Sequence, residues 1–475
     1  MDGRKGLSMS LSVVILAAGK STRFHSKTPK VLHPIGEPPM IDYPLSVAEA
    51  LSSQPPVIVV GEETEEAIES WAGNRAEYVF QEERLGTGHA VLQARSLLEN
   101  QSDCVLTLYG DMPLLREKTL AKLIHLRHQK DAAMAMVTVI RDNPMGFGRV
   151  LRDEDGYVLK VVEEPEATKE QLAIRELNAG IYVFKGDLLW SNLTRLEPSP
   201  EKGEIYLTDM VERLVKAGHH VVDLVLNDPT ETMGVNTRVD FAAALAALRQ
   251  RINEQWMLKG VTLIDPATTY IGPKVTIGMD TVIYPNTSLR GETIIGEDCE
   301  IGPNSVVDDT QIGDRCRVTA SVLEQAVMDE DSDIGPFSHL RKGAHVGPGA
   351  HVGNFGEIKN STLGRGAKMG HVSYLGDATV GEEANIGAGT ITCNFDGQQK
   401  HPTKIGDHAF IGSGSMLVAP LTIGPRAKTG AGSVVTHDLP ADTLAYGVPA
   451  RPKQQSDPSD QQEEDSERSC DAPTR

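Results

Sequence analysis

The chain has 475 residues, with 46 Lys plus Arg against 66 Asp plus Glu and a formal charge of −20. That length suits roughly two to four domains, and so acidic a surface repels phosphate polymers and anionic bilayers, so neither nucleic acid nor a membrane is an expected partner. No apolar run approaches the roughly 18 residues of a membrane span, and the first ten residues, MDGRKGLSMS, lack the apolar centre of a signal peptide, so a cytoplasmic location is expected. Cys104, Cys299, Cys316, Cys393 and Cys470 are scattered without CxxC spacing. That pattern points to free thiols rather than to a disulfide framework or a zinc site.

Residues 1–236 alternate β-type runs (Leu11–Leu16, Val57–Val60, Cys104–Leu108, Met134–Val139, Ile181–Phe184) with helix-like stretches such as Thr87–Leu98 and Lys118–His128. The alternation predicts an α/β domain with a largely parallel sheet. The first strand runs into a small-residue loop, where Ala17, Ala18 and Gly19 let backbone amides approach a nucleotide and Arg23 can meet phosphate oxygens; an ordinary strand–helix turn is the alternative. Lys30 follows Pro29 seven residues after Arg23, and Tyr109-Gly110-Asp111 places a carboxylate at a strand end. A carboxylate there suits Mg²⁺ beside a triphosphate.

From Arg238 to Leu258 the sequence is rich in Ala and Leu without Gly or Pro, which predicts one helix, a linker over residues 237–258. Composition then changes: 27 of the 45 glycines fall in residues 261–450. Aliphatic residues recur there every six positions, each usually followed by Gly: Ile271, Ile277, Ile283, Leu289, Ile295, Ile301, then Ile334, Leu340, Val346, Val352, Ile358, and later Ile405, Ile411, Leu417 and Ile423. A period of six fits neither a helix nor a hairpin. It predicts, over residues 259–452, a parallel β-helix whose hexads form the sides of a triangular coil, with Gly at the corners. Between Ile386 and Ile405 the hexads give way to TITCNFDGQQKHPTK (390–404), a stretch expected to project as a functional loop. Arg341 and Lys359 are 18 positions apart, one coil, and should stack as a cationic seat for a phosphate. Such a pair without a carboxylate partner favours an anionic ligand, two solvated cations being the alternative. His371 lies three residues from Tyr374, and a neutral imidazole can accept an amine proton at neutral pH. Residues 453–475 carry seven acidic and three basic residues and no large aliphatic, so a disordered acidic tail is expected.

The stretch LAAGKSTRF, followed by Pro29-Lys30 and by Gly110-Asp111, resembles the LAAGxGTRM, PK and GD signature of sugar nucleotidyltransferases over about residues 10–236. LGTGHA (85–90), GFGR (146–149), LNAGIY, EIYLTD (204–209) and GVNTR (234–238) are more specific matches, and the hexads resemble those of left-handed β-helix acyltransferases. To about residue 450 the chain is similar to the bifunctional GlmU-type family, in which an N-acetylglucosamine-1-phosphate uridyltransferase is joined to a glucosamine-1-phosphate N-acetyltransferase. The resemblance implies a Rossmann-like α/β domain followed by a left-handed parallel β-helix. It implies that Leu16, Ala17, Ala18, Gly19, Gln81, Gly86 and Thr87 hold the uridine of UTP, with Tyr109 and Gly110 in the same site. Lys30 and Arg23 would engage phosphates during transfer, Asp111 and Asn236 would bind Mg²⁺, and Gly148, Glu163 and Asn178 would face the N-acetylglucosamine. In the second half, His371 would be the proton acceptor. Arg341, Lys359, Tyr374, Asn385, Asn394 and Lys400 would bind glucosamine-1-phosphate, while Ala388, Asn394, Phe395, Ser413 and Ala431 would line the acetyl-CoA path. Family members are trimers, so a homotrimer holding acetyl-CoA between subunits is implied. Three positions depart from the family pattern: Ser21 replaces a glycine, Phe395 a tyrosine, and Val448 an arginine for the coenzyme A phosphates, a charge Arg451 could supply.

Taken singly, Asn178 and Glu163 also read as surface or turn residues and Thr208-Asp209 as a helix cap, while Cys393, beside the projecting loop, reads either as an alkylation-sensitive thiol or as a small buried residue, the second being favoured. Two other readings of the whole chain stand beside the bifunctional one. In the first, a nucleotidyltransferase for another sugar phosphate carries a purely structural β-helix. The TCNFDG loop with His371, Arg341 and Lys359 argues against it. In the second, the chain is a non-enzymatic scaffold, against which Lys30, Asp111 and Asn236 argue.

Overall fold

The computed structural model describes residues 10–144, 146–199 and 203–453. The expected acidic tail lies outside the described residues apart from Lys453, as does Cys470. Two compact units divide between Leu248 and Arg249, inside the helix Arg238–Leu258.

The first unit is built on nine strands: β1 (Leu11–Leu16), β2 (Val57–Val60), β3 (Glu77–Phe80), β4 (Cys104–Tyr109), β5 (Met134–Ile140), β6 (Arg149–Arg152), β7 (Val158–Val162), β8 (Glu176–Lys185) and β9 (Val221–Leu226). The main path runs β3-β2-β1-β4-β8-β5-β9. β1, β2, β3 and β4 pair in parallel, as do β5 and β9. The sheet departs from the expected parallel order at β8, which runs antiparallel to β4 and β5. The cause is local: the chain leaving β5 folds into the β6–β7 hairpin and returns in the reverse sense. The strands read as unbroken apolar runs because helices cover both faces. Val13 and Ile15 of β1 enter one core and Val14 the other, and β2 alternates likewise. The predicted helix over Thr87–Leu98 is divided at Ala94 into Thr87–Gln93 and Arg95–Leu98.

The second unit is the left-handed parallel β-helix, its hexads stacked in register. Ile283, Ile301, Val318, Ile334, Val352, Met369, Ile386 and Ile411 form one buried column. Leu289, Val307, Leu323, Leu340, Ile358 and Leu375 form a second. Apart from Gly302 (φ 104°) and Gly335 (φ 113°), the Gly that follows the hexad aliphatic serves close approach rather than an unusual dihedral. A Cβ at Gly278 would lie 2.5 Å from the Gly296 carbonyl carbon in the next coil, whereas left-handed corner positions are held by residues such as Asn286 (φ 58°) and Asn304 (φ 56°). The C-terminal half of the long helix belongs to this unit: Ile252 and Trp256 pack on its core, and Asn253 Nδ2 donates to the carbonyls of Pro266 (2.9 Å) and Thr269 (3.0 Å). Less of 390–404 leaves the coil than the sequence predicts, because Ile391–Cys393 and Thr403–Ile405 keep their pairing as strands and only the stretch between them projects. Among the described residues no helix is long and apolar enough to cross a membrane.

Candidate functional sites

In a parallel sheet the loops after the strands converge at the carboxyl edge, and that edge carries the first site. The loops after β1, β2, β3 and β4 line a cavity of about 290 Å³ that gathers Leu16, Ala17, Ala18, Gly19, Lys30, Gln81, Gly86, Thr87, Tyr109 and Asp111. Gly86 (φ 100°) has no room for a side chain, since a Cβ would sit 2.6 Å from the Ile205 carbonyl oxygen; the LGTG loop therefore lies directly on the EIYLTD segment. Gly110 packs behind the cavity, against the Leu16 carbonyl.

A second cavity of about 590 Å³ gathers Arg23, Gly148, Glu163, Asn178 and Asn236, and it shares Thr87, Tyr109, Asp111 and Tyr206 with the first. The two cavities thus meet at Asp111. Lys30, nearly buried, lies at this junction with Nζ 2.6 Å from Asp111 Oδ2 and 2.9 Å from Asn236 Oδ1, joining residues 81 and 206 positions away in sequence. The Tyr109 ring packs where a Cβ on Gly180 (φ 77°) would intrude, and burial holds its hydroxyl protonated by pushing its pKa up.

Several groups here escaped sequence reading. Thr208 donates its hydroxyl to Glu163 Oε1 (2.9 Å) and makes no cap bond to its helix, which corrects the capping alternative. Tyr206, from the same quoted motif, borders both cavities. Asn178 lines the second cavity with its amide committed: Nδ2 donates to the Tyr182 hydroxyl at 2.7 Å and Oδ1 accepts from Gly180 N at 3.2 Å. Arg149 is buried, its guanidinium bound to the Phe147 carbonyl and to Glu164, so that it braces the loops carrying Gly148 and Glu163. Ser21 adopts φ 57° and ψ 27°, which explains why a glycine is usual in its place. A non-glycine residue bears about 1 kcal/mol of strain in that region.

The second site lies on the β-helix. Leu340 pairs with Ile358, and Arg341 N donates to the Ile358 carbonyl, so Arg341 and Lys359 do stack on adjacent coils. The expected lack of a carboxylate partner is corrected: Arg341 Nη1 lies 3.0 Å from Glu357 Oε1. Glu357 stands two residues before Lys359 on the same face of one strand; stacking sets it opposite His339, and Arg341 reaches it on the diagonal. Lys400 and then Arg341 push the Lys359 ammonium below the ordinary lysine value, so three cations share one surface. The loop bearing Lys400 is fixed by Asp396, which accepts from Gln398 N and Gln399 N (2.8 Å each) and pairs with His401 (2.7 Å). Asn394 Nδ2 and Asn360 Nδ2 each lie 2.6 Å from an oxygen of Asp377; burial tends to raise that carboxyl, but these donors hold it below its usual range. Neither Asp377 nor Asp396 carries a sequence signal beyond lying in or beside the polar interval.

His371 stands at a corner of the next coil, in register with Asn354, and its Nδ1 lies 2.9 Å from Asn354 Oδ1. An amide oxygen can only accept, so this contact places the ring proton on Nδ1 and leaves Nε2 as the acceptor. Ala388, Ser413 and Ala431 continue the same corner column. Gly389 N donates to the Val372 carbonyl, Gly414 N to that of Ala388 and Gly432 N to that of Ser413. Asn385 stands on the strand before the corner, in register with Lys368 and Phe410, on a different side of the coil from the Lys359 cations. Phe395 is exposed, bridged to Lys400, and Val448 and Arg451 are exposed in the last hairpin.

A nucleotidyl transferase family model matches residues 12–257, and a bacterial transferase hexapeptide model of six repeats matches residues 292–323 and 402–437. Proteins named Bifunctional protein GlmU are similar along nearly the whole chain. The one from Heliobacterium modesticaldum is 45% identical over 91% of this chain and 94% of its own. The one from Fervidobacterium nodosum is 45% identical over 92% and 94%, and the one from Enterococcus faecalis 44% identical over 91% and 94%.

Proposed function

The chain belongs to the GlmU family of bifunctional transferases, and from the residues gathered at its two sites we infer which groups perform each half of the reaction. The C-terminal unit acetylates glucosamine-1-phosphate with acetyl-CoA, and the N-terminal unit transfers UMP from UTP to N-acetylglucosamine-1-phosphate with release of pyrophosphate. The observation that carries the residue assignment is the meeting of two cavities at Asp111, which supplies a nucleotide chamber and a sugar chamber with one charged junction.

In uridylyl transfer the sugar-1-phosphate oxygen attacks the α-phosphorus of UTP as pyrophosphate leaves, a reaction that needs positioning and charge neutralisation rather than a protein nucleophile. The 16–19 and 81–87 loops hold the nucleotide, while Gly148, Glu163 and Asn178 hold the sugar. Lys30 and Arg23 meet phosphate oxygens. The residues fit Mg²⁺: Asp111 and Asn236 already direct two oxygens at one cationic group, the Lys30 ammonium, and Mg²⁺ characteristically takes one or two protein oxygens plus substrate phosphates. When bound there, the metal would supply neutralisation of phosphate charge.

In acetyl transfer the phosphate of glucosamine-1-phosphate sits on Arg341, Lys359 and Lys400. His371 Nε2 takes the proton of the sugar amine as the nitrogen attacks the thioester carbonyl, and the coenzyme A thiol leaves. Acetyl-CoA follows the small-residue column of Ala388, Ser413 and Ala431 with Asn394 and Phe395 beside it. Tyr374 and Asn394 contact the sugar from the side of the coil that carries the phosphate seat, and Asn385, on another side, would meet it from a neighbouring subunit of the trimer. A homotrimer and a cytoplasmic location complete the reading, the first supported by the hexapeptide repeats and the second by the soluble pools of UTP and acetyl-CoA that it requires. Incubation of the pure protein with glucosamine-1-phosphate, acetyl-CoA, UTP and Mg²⁺ should yield UDP-N-acetylglucosamine. Omitting acetyl-CoA should stop the sequence before uridylylation, and supplying N-acetylglucosamine-1-phosphate should restore it; UDP-glucosamine as the main product would overturn the order of reactions.

A further inference from the structure

We infer that Arg84 is a positioning residue for base recognition: it staples three loops at the carboxyl edge of the sheet and fixes the width of the slot between the Leu16–Gly19 wall and the Gln81–Thr87 wall. The inference rests on reading this cavity as the uridine nucleotide site.

β1, β2 and β3 are adjacent parallel strands, and each ends in a loop that borders the cavity. Backbone bonds register the strand ends, with Ala17 N donating to the Val59 carbonyl (2.9 Å) and Gln81 N to that of Val60 (2.8 Å). Beyond those bonds the loops diverge, and Arg84 crosses the gap. Its Nε donates to the Ala18 carbonyl at 2.9 Å, and its Nη2 pairs with Glu63 on the β2 loop, which Lys20 also approaches at 3.5 Å. The crossing is tight, because a Cβ at Gly61 would lie 3.0 Å from the Ala18 oxygen and 3.4 Å from Arg84 Nη2. A partly exposed ion pair contributes little by attraction alone. The planar guanidinium fork, however, dictates direction, holding a carbonyl and a carboxylate in one plane as a lysine cannot.

The wall that Arg84 belongs to carries the polar group that can discriminate between bases. Gln81 is buried and its Nε2 is engaged by the Gly86 carbonyl at 3.2 Å, with His89 Nδ1 also at 3.2 Å. Its oxygen is the end not engaged by these contacts, and an acceptor suits the N3–H of uracil while opposing N3 of cytosine, itself an acceptor. Discrimination then depends on holding the base at a fixed distance from Gln81, which is what a staple to the opposite wall provides. No sequence signal marks Arg84; it stands inside QEERLGTGHA as one of several charged residues.

The test is steady-state uridylyl transfer by the full-length protein with UTP and with CTP, for the wild type and for Arg84→Gln, Arg84→Lys and Glu63→Gln. Arg84→Gln should raise the KM for UTP and lower the UTP-to-CTP ratio of kcat/KM, each roughly tenfold, the size expected for one lost charge-assisted hydrogen bond. Its kcat and its KM for N-acetylglucosamine-1-phosphate should stay within about twofold of the wild type. Arg84→Lys should fall between, and Glu63→Gln should change both quantities less and in the same direction. An unchanged UTP-to-CTP ratio in variants that still turn over UTP overturns the inference, and so does a fall in kcat alone. If Arg84→Gln does not fold, the other two variants carry the same comparison. A wild type that prefers a nucleotide other than UTP would instead refute the assignment of the cavity.

Discussion

The two sites are assembled by opposite rules. In the first unit Lys30, Asp111 and Asn236 come together from three distant loops because a parallel sheet brings the ends of its strands to one edge. In the β-helix, Arg341 with Lys359 and Asn354 with His371 are neighbours because they are one coil apart. Geometry in the second unit is sequence arithmetic, whereas in the first it is a property of topology. A coil site can therefore be altered one stacked pair at a time. A loop-edge site responds to anything that moves a loop.

The sharpest break between the two is His371→Ala. It should lower kcat for acetyl transfer by roughly 10²–10⁴-fold, the usual contribution of a positioned general base, and leave uridylyl transfer unchanged. Steady-state kinetics of both reactions check it, and an unaltered acetylation rate would mean that another group takes the amine proton. A smaller effect is expected at the residue stacked on it. Asn354→Ala frees the imidazole to turn, which should cost about tenfold in kcat with little change in KM, while Asn354→Asp, able to accept the same N–H, should restore most of the rate. Failure of Asn354→Asp to rescue would show that Asn354 does not act through the ring.

The smallest effect sharpens the contrast from the loop-edge side. Burial, together with Glu166, Glu163 and Glu212, pushes the Asp209 carboxyl up to about 6 from its ordinary 3.8. Between those values the folded chain holds a proton the unfolded chain has lost, so stability falls as pH climbs through this window and the penalty is complete above it. Asp209→Asn should therefore stabilise the first unit by about 1 kcal/mol at pH 7.5, allowing for solvent screening of a part-exposed group, and by less at pH 5. Denaturant midpoints at the two pH values measure the difference, and an equal effect at both would contradict it.

The same contrast explains what the sequence disclosed. The hexad period announces the β-helix, its inward columns and the Arg341–Lys359 stack, since each is fixed by counting. Asn354 lies in register with His371 and could have been sought by counting, whereas Glu357 is in register with His339 and reaches Arg341 only on the diagonal, a partner that counting does not give. In the first unit the strands are legible from apolar runs, but the reversal of β8 is not, because direction is decided by a hairpin rather than by composition. Resemblance alone links LAAGKSTRF and LGTGHA to a nucleotide, GFGR and LNAGIY to a sugar, and GVNTR to a metal. Thr208, Tyr206 and Arg84 went unassigned because their neighbours in space are remote in sequence.

The central claim is that each chemistry has its own residues, and the most direct measurement is to assay both reactions on one preparation of Asp111→Asn. Uridylyl transfer from N-acetylglucosamine-1-phosphate should fall by about 10²-fold or more, since phosphate charge at the junction of the two cavities is no longer neutralised. Acetylation of glucosamine-1-phosphate should match the wild type. Near-normal Mg²⁺-dependent uridylyl transfer, or loss of both activities together, would contradict the account.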